Sequence, residues 1–150
     1  MFISVDFDGT CVTHEFPKTG KNIGAEIVLK ALTDAGHRII CMSMRSPEQE
    51  GDTIQQIKDW FKKHNIPLYA INDNPEQKDW SKSRKVYAHT YIDDQFLGCP
   101  LKLDPHLSRR AFVNWLKVTK LLYGQGFLKT SQTTDVIEDL VNKYPEIYNI

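Results

Sequence analysis

Cysteine is scarce in this sequence: Cys11, Cys41 and Cys99 are odd in number and widely spaced. They make no disulfide framework and point to a reducing compartment. No apolar run approaches the ~20 residues of a membrane helix. Met1 leads into Phe2-Ile3-Ser4-Val5 without the basic stretch of a secretory leader. An excess of either charge is also missing. Nineteen Lys and Arg balance nineteen Asp and Glu, whereas a dedicated nucleic-acid binder carries a basic surplus. Repeats, low-complexity tracts and long linkers are absent. The expectation is a cytoplasmic chain with no membrane partner and an open oligomeric state.

The residues that are present have ordinary globular proportions, 41% hydrophobic and 25% charged over 150 residues. That composition excludes disorder, and the length predicts one domain able to bury a core without disulfides or a structural metal. Short apolar runs alternate with helical patterns. Residues 2–6 predict a first strand ending in Asp6, and 9–22 an irregular loop with Pro17 and Gly20. Ile27, Ala31 and Ala35 predict a helix over 23–35, stopped by Gly36. A second strand, 37–42, ends at Ser43. Ser46, Pro47 and Gln49 read as N-cap, first helical residue and capping-box partner of a helix carrying Ile54, Ile57 and Phe61. A third strand spans 67–71. An ambiguous stretch, 72–85, allows a short helix, and a fourth strand, 88–92, ends in Asp93-Asp94. Helices over 107–123 and 134–144 complete the chain. The fold class is therefore α/β: a doubly wound, mainly parallel, Rossmann-like sheet flanked by helices. Its core covers about 1–123, with a C-terminal helical extension over 124–150.

In such sheets, ligands bind outside the carboxyl ends of the strands. Three strand ends bring Asp6 and Asp8, Ser43, and Asp93 and Asp94 to that rim. The Asp-x-Asp spacing of Asp6 and Asp8 points both carboxylates to one side of an extended segment, and Gly9 permits the sharp departure after them. Four converging carboxylates repel one another unless a cation neutralises them. An oxygen-only ligand set suits Mg²⁺.

The ordered set of strand ends resembles the haloacid dehalogenase (HAD) superfamily of phosphohydrolases. Asp6-Phe7-Asp8-Gly9-Thr10 looks like its first motif, Ile39-Ile40-Cys41-Met42-Ser43 its second, and Tyr91-Ile92-Asp93-Asp94 its acidic fourth. For the lone lysine of the third motif Lys85 is the choice, with Lys82 and Lys78 as rivals. The stretch from Gly98-Cys99-Pro100 to Phe112-Val113-Asn114-Trp115 is similar to small, uncharacterised HAD-like proteins of bacterial and phage type. The resemblance implies that Asp6 is the nucleophile, and that Asp8 is the general acid and then the base for water. It makes Ser43 and Lys85 phosphate-binding. It also implies a Mg²⁺ held by Asp6, Asp93 and Asp94, with Asp8 contributing its backbone carbonyl. Only 34 residues separate Asp8 from Ser43, and a core helix occupies over a third of them, so no cap domain is expected. The substrate expected is a small phosphomonoester such as a nucleotide or sugar phosphate, with a nucleic-acid end possible but less favoured.

Each of these residues also has a plainer reading. Asp8-Gly9 is common turn chemistry, Asp93-Asp94 suits a helix N-terminus, and Lys85 reads equally as a surface lysine. Arg45 reads as a solvated loop residue or as a contact to substrate. Cys11 and His14 read as loop residues, since two ligands without partners do not make a zinc site. Two other functions compete. A phosphoacceptor signalling domain shares the sheet but lacks an Asp two residues after the phosphorylated one. A catalytically silent HAD-like binding module has no need of Asp8.

Overall fold

The computed structural model describes residues 1–149. Four strands, β1 (Phe2–Val5), β2 (Arg38–Cys41), β3 (Leu68–Ile71) and β4 (Thr90–Ile92), form one parallel sheet in the order β3-β2-β1-β4. The chain steps outward from β1 to β3 and then crosses to the far side of β1. The Rossmann-like, doubly wound reading therefore holds, and the topological switch point lies between β1 and β4. Helices α1 (Ala25–Asp34), α2 (Thr53–Lys63), α3 (Trp115–Gly124) and α4 (Thr130–Lys143) flank it. Among the described residues no helix is long and apolar enough to cross a membrane.

Alternation along the strands sorts the two faces. Ile3, Val5, Ile39 and Cys41 join Val28, Leu29, Leu32, Ile57 and Phe61 in the main core. Ser4 and Ile40 are buried on the opposite face, under a separate cover. That cover is the 72–89 crossover, which contains a 3₁₀ turn, Pro75–Asp79, and places Tyr87 and His89 against Phe2. Buried Gln77 ties the crossover together: its amide donates to the Ser83 and Lys85 carbonyls (3.2 and 2.8 Å) and accepts from Tyr87 N (2.9 Å).

Two predicted helices start later than their sequence signals suggest. Ser46 N does donate to Gln49 Oε1 (3.0 Å), which is one half of a capping box. Gly51 (φ 89°) and Asp52 (φ 49°) then turn left-handed, so residues 46–51 form turns and α2 begins at Thr53. Asp52 is its cap, accepting from Gln55 N at 3.1 Å. The helix predicted from Leu107 starts only at Trp115. The intervening Phe112–Val113 is a strand, β6, antiparallel to β5 (Leu101–Lys102), and Asn114 caps α3 by accepting from Lys117 N. An aromatic residue followed by a β-branched one favours the extended pairing, and Val113 N donates to Gly9 O (3.0 Å), tying β6 to the loop after β1.

The C-terminal segment is packed into the same domain. α4 lies against α1 and α3, and Val136, Leu140, Ile147 and Tyr148 are buried in the main core. Gly24 (φ 105°) opens α1 in a left-handed conformation that favours glycine, and a Cβ there would sit 2.5 Å from Leu140 Cδ2, so a side chain would also push on α4. Beside it, the buried Glu26 accepts from the Tyr144 hydroxyl and from Lys143 Nζ (3.3 Å), while its Oε2 has no partner among the described residues. Burial and the bond to Glu26 hold the Tyr144 hydroxyl well above its ordinary range, so it stays a donor. Tyr144→Phe is expected to cost about 1–3 kcal/mol, the penalty of leaving a buried acceptor short of a donor. Urea unfolding should show the midpoint falling at constant slope; an unchanged midpoint would remove Glu26–Tyr144 from the contacts that hold α4.

Candidate active site

The carboxyl ends of β1 and β4 lie side by side at the switch point, and Asp6 N donates to Ile92 O (3.0 Å) across them. Asp6, Asp93 and Asp94 each place a carboxylate oxygen within 4.8 Å of the other two. The Thr10 hydroxyl bridges Asp6 Oδ2 (3.1 Å) and Asp94 Oδ1 (3.3 Å), and Asp94 N donates to the same hydroxyl. Thr10 is held in turn by Trp115, whose buried indole N–H donates to its carbonyl at 2.7 Å.

The electrostatics follow from this crowding. Burial, the hydrogen bond shared with Asp94 and the charge of Asp93 push Asp6 up to about 8. Burial, with the charge of Asp94, raises Asp93 as well. Burial acts against ionised Asp94 too, but hydrogen bonds from His14, Asp6 and Thr10 outweigh it and hold this carboxyl below its ordinary value. Three clustered acids that offer oxygen ligands only are residues that could hold a hard divalent cation.

A cleft of about 500 Å³ opens beside the cluster, lined by Asp6, Asp93, Ser43, Lys85, Tyr91 and Phe96 among others. The predicted phosphate-binding pair thus faces the predicted nucleophile. The rival lysines, Lys78 and Lys82, line the adjoining hollow instead. Ser43 is set by Asn72 at the end of β3: the amide accepts from Ser43 N (2.8 Å) and donates to Ser43 O (3.0 Å). Lys85 Nζ rests over the Tyr91 ring, 5.5 Å from its centroid. A larger hollow, about 790 Å³, runs between α2 and the edge strand β3, but none of the three clustered acids reaches it.

Asp8 stands apart from the acidic cluster. Both of its carboxylate oxygens accept from Arg45, Oδ2 from Nε and Oδ1 from Nη2, each at 2.8 Å. As a ligand through its side chain, Asp8 is therefore not gathered with Asp6, Asp93 and Asp94. Arg45 is neither a solvated loop residue nor a free contact for substrate: it is 2% exposed. Its remaining donors go to Lys18 O (2.7 Å), Gln56 Oε1 (2.6 Å) and Thr53 O (3.4 Å). The guanidinium lies between the Phe7 and Phe16 rings, 5.0 and 5.3 Å from their centroids. One side chain thus joins the loop after β1, the loop after β2 and the start of α2.

His14 also departs from the sequence reading. Its Nε2 lies 2.9 Å from Asp94 Oδ2, inside the acidic cluster's own bonding. Gly9 (φ 83°) makes room for it, since a Cβ there would fall 2.0 Å from that ring nitrogen. Cys11 does not join His14 as a ligand; it is buried, with Sγ donating to Asp6 O at 3.3 Å. Trp60 and Trp115 pack in the core, and Trp80 lies outside the cleft against Tyr87.

No protein-family model matches this chain, and no curated protein matches it. Among solved structures it is similar to a conserved protein coded by a locus of Bacteroides thetaiotaomicron, at 29% identity and a TM-score of 0.62. The likeness spans 88% of this chain and 95% of that one, so the α/β architecture is shared across nearly the whole of both.

Proposed function

We propose that this chain is a Mg²⁺-dependent phosphohydrolase that cleaves a phosphomonoester, a nucleotide or sugar phosphate being favoured, through an aspartyl-phosphate on Asp6. The observation that carries the reading is the three-carboxylate cluster at the switch point, two of whose acids, Asp6 and Asp93, line one cleft with Ser43 and Lys85. The resemblance of the strand-end motifs to the HAD superfamily supports the same chemistry.

In this reading an Asp6 oxygen attacks phosphorus, and the bond from phosphorus to the leaving oxygen breaks. The leaving alcohol takes its proton from Asp8. Water then attacks the aspartyl-phosphate, passes its proton to Asp8, and frees phosphate and Asp6. Ser43 donates to a phosphoryl oxygen, and Lys85 offsets its charge. Asp6, Asp93 and Asp94, with the Asp8 carbonyl, would hold the cation, which when bound neutralises the acids and the charge gathering on the phosphoryl group. The neutralisation matters, because a carboxyl pushed up to about 8 is largely protonated, and so a poor nucleophile, at neutral pH.

The test is phosphate release from a panel running from p-nitrophenyl phosphate through nucleotides and sugar phosphates to end-phosphorylated oligonucleotides, with and without Mg²⁺. The Asp6→Asn variant serves as the blank. Metal-dependent release that vanishes in the variant is expected; silence across the panel overturns the hydrolase reading. One observation favours a second reading, a phosphoacceptor or binding module: Arg45 occupies both oxygens of Asp8. A phosphoenzyme surviving for minutes would select it.

A further inference from the structure

The cleft beside Asp6 does not end at Lys85. It continues into a hollow of about 440 Å³, and the two share Asn72, Arg84 and Val86 as a common wall. Four cations follow one another along this path: Lys85, Arg84, Lys82 and Lys78. Among the described residues none of the four makes an ion pair or a side-chain hydrogen bond. Among the described residues Asp73 is the only acidic one lining the outer hollow. In a chain with no net charge, that is a concentrated positive groove leading away from the reacting centre.

The frame beneath these cations is fixed. Gln77 binds the backbone of residues 83–87, and buried Asn74 donates to Tyr87 O at 3.0 Å. Ser83 Oγ accepts from Lys85 N (3.2 Å), and Ser81 Oγ from Ser83 N (3.1 Å). A buried amide network that pins an otherwise irregular segment gives its cations a set spacing. The scissile phosphate has Lys85, Ser43 and the acidic cluster's cation to meet it, which leaves Arg84, Lys82 and Lys78 without a partner in a simple monophosphate.

We infer that the substrate carries a second phosphate on its leaving group, bound by Arg84 at the junction of cleft and hollow, with Lys82 and Lys78 beyond it. The inference rests on the phosphohydrolase reading and narrows its substrate class. The same chemistry has two sources, a small bisphosphate or the phosphodiester next to a phosphorylated nucleic-acid end. Arg84 suits either, because its guanidinium meets two phosphate oxygens at once.

The experiment compares kcat/KM for a nucleoside monophosphate, a nucleoside 3′,5′-bisphosphate and short end-phosphorylated oligonucleotides, in wild type and in Arg84→Gln and Lys78→Gln. The bisphosphate is expected to exceed the monophosphate by about tenfold or more, the scale of a charge-assisted contact. Arg84→Gln should reduce that ratio toward one, and added salt should do the same. A further gain for the oligonucleotide that Lys78→Gln removes selects the nucleic-acid source; no further gain selects the small bisphosphate. Equal kcat/KM for mono- and bisphosphate, or equal losses on both in Arg84→Gln, overturns the inference. Calorimetric titration of Asp6→Asn with the bisphosphate separates the two levels. Binding weakened by Arg84→Gln without turnover in wild type would keep the groove and sink the hydrolase, whereas indifference to Arg84→Gln would sink the groove.

Discussion

Asp6→Asn is expected to lower phosphate release by on the order of 10⁴-fold or more, the scale of removing a covalent nucleophile, and also to stabilise the cation-free protein at neutral and alkaline pH. The second half follows from the raised carboxyl. Burial and the hydrogen bond shared with Asp94 push Asp6 up to about 8 in the folded chain, against an ordinary 3.8. Between those values the folded state holds a proton that the unfolded state has released, so the stability this group contributes is full below about 3.8 and is lost as pH rises through about 8. Asn at this position carries no charge to bury beside Asp93 and Asp94. Urea unfolding in a chelator at pH 5, 7 and 9 should therefore show wild type weakening with pH and the variant weakening less. Mg²⁺ should reverse the order by stabilising wild type more, since only the native cluster gathers all three acids. Equal pH profiles in the two proteins would refute the proposed crowding of charges, whatever happens to turnover. Wild-type-like hydrolysis by the variant would refute the nucleophile.

The parts of this site that lie at strand ends were legible in the sequence, because a parallel sheet gives position along the chain a meaning in space. Asp6, Ser43, Asp93 and Asp94 each follow an apolar run, and the winding of β1 to β4 brings those ends to one edge. Lys85 was the sequence's choice over Lys78 and Lys82, and in the fold it lines the cleft beside Asp6 while the other two line the adjoining hollow. What sequence periodicity left unseen is Gln77, whose hydrogen bonds hold the backbone of residues 83–87.

The residues that escaped are those whose partners come from far along the chain. Nothing local distinguishes Arg45 from a solvated arginine; its burial is built by Asp8, Phe16, Lys18 and Gln56. His14 reaches an acid 80 residues away. The late start of α2 has a different cause. The signal at Ser46 and Gln49 is real and forms its bond, but Gly51 and Asp52 take left-handed conformations that end the turn before a helix can propagate. The single Gly51, which fits a turn better than a helix, was the available warning.

The contact between Arg45 and Asp8 carries the second large effect. Removing one member of a buried ion pair costs about 3–5 kcal/mol, because the other charge loses its compensation. The two members differ in access: the Arg45 side chain is 1% exposed and that of Asp8 18%. Water can therefore reach Asp8 when Arg45 is lost, but not Arg45 when Asp8 is lost. Asp8→Ala is expected to destabilise more than Arg45→Met, and the double variant to be more stable than the sum of the two losses predicts. Strict additivity, measured by urea unfolding of all four proteins, would deny the coupling. In the proposed reaction Asp8 must also carry a proton for the leaving group, and the same pair would orient the carboxyl that carries it. The guanidinium holds the plane of the Asp8 carboxyl through both oxygens and leaves an outer lone pair on each, one of which would carry that proton in the acid form. Arg45 is thus a positioning residue for the proposed acid. Its loss should slow an alkyl phosphate, whose alkoxide must be protonated, by 10-fold or more beyond its effect on p-nitrophenyl phosphate, whose phenolate leaves unaided, within the roughly 10²- to 10⁴-fold worth of a general acid. A purely structural role would slow both substrates alike, and that result would return Arg45 to the scaffold.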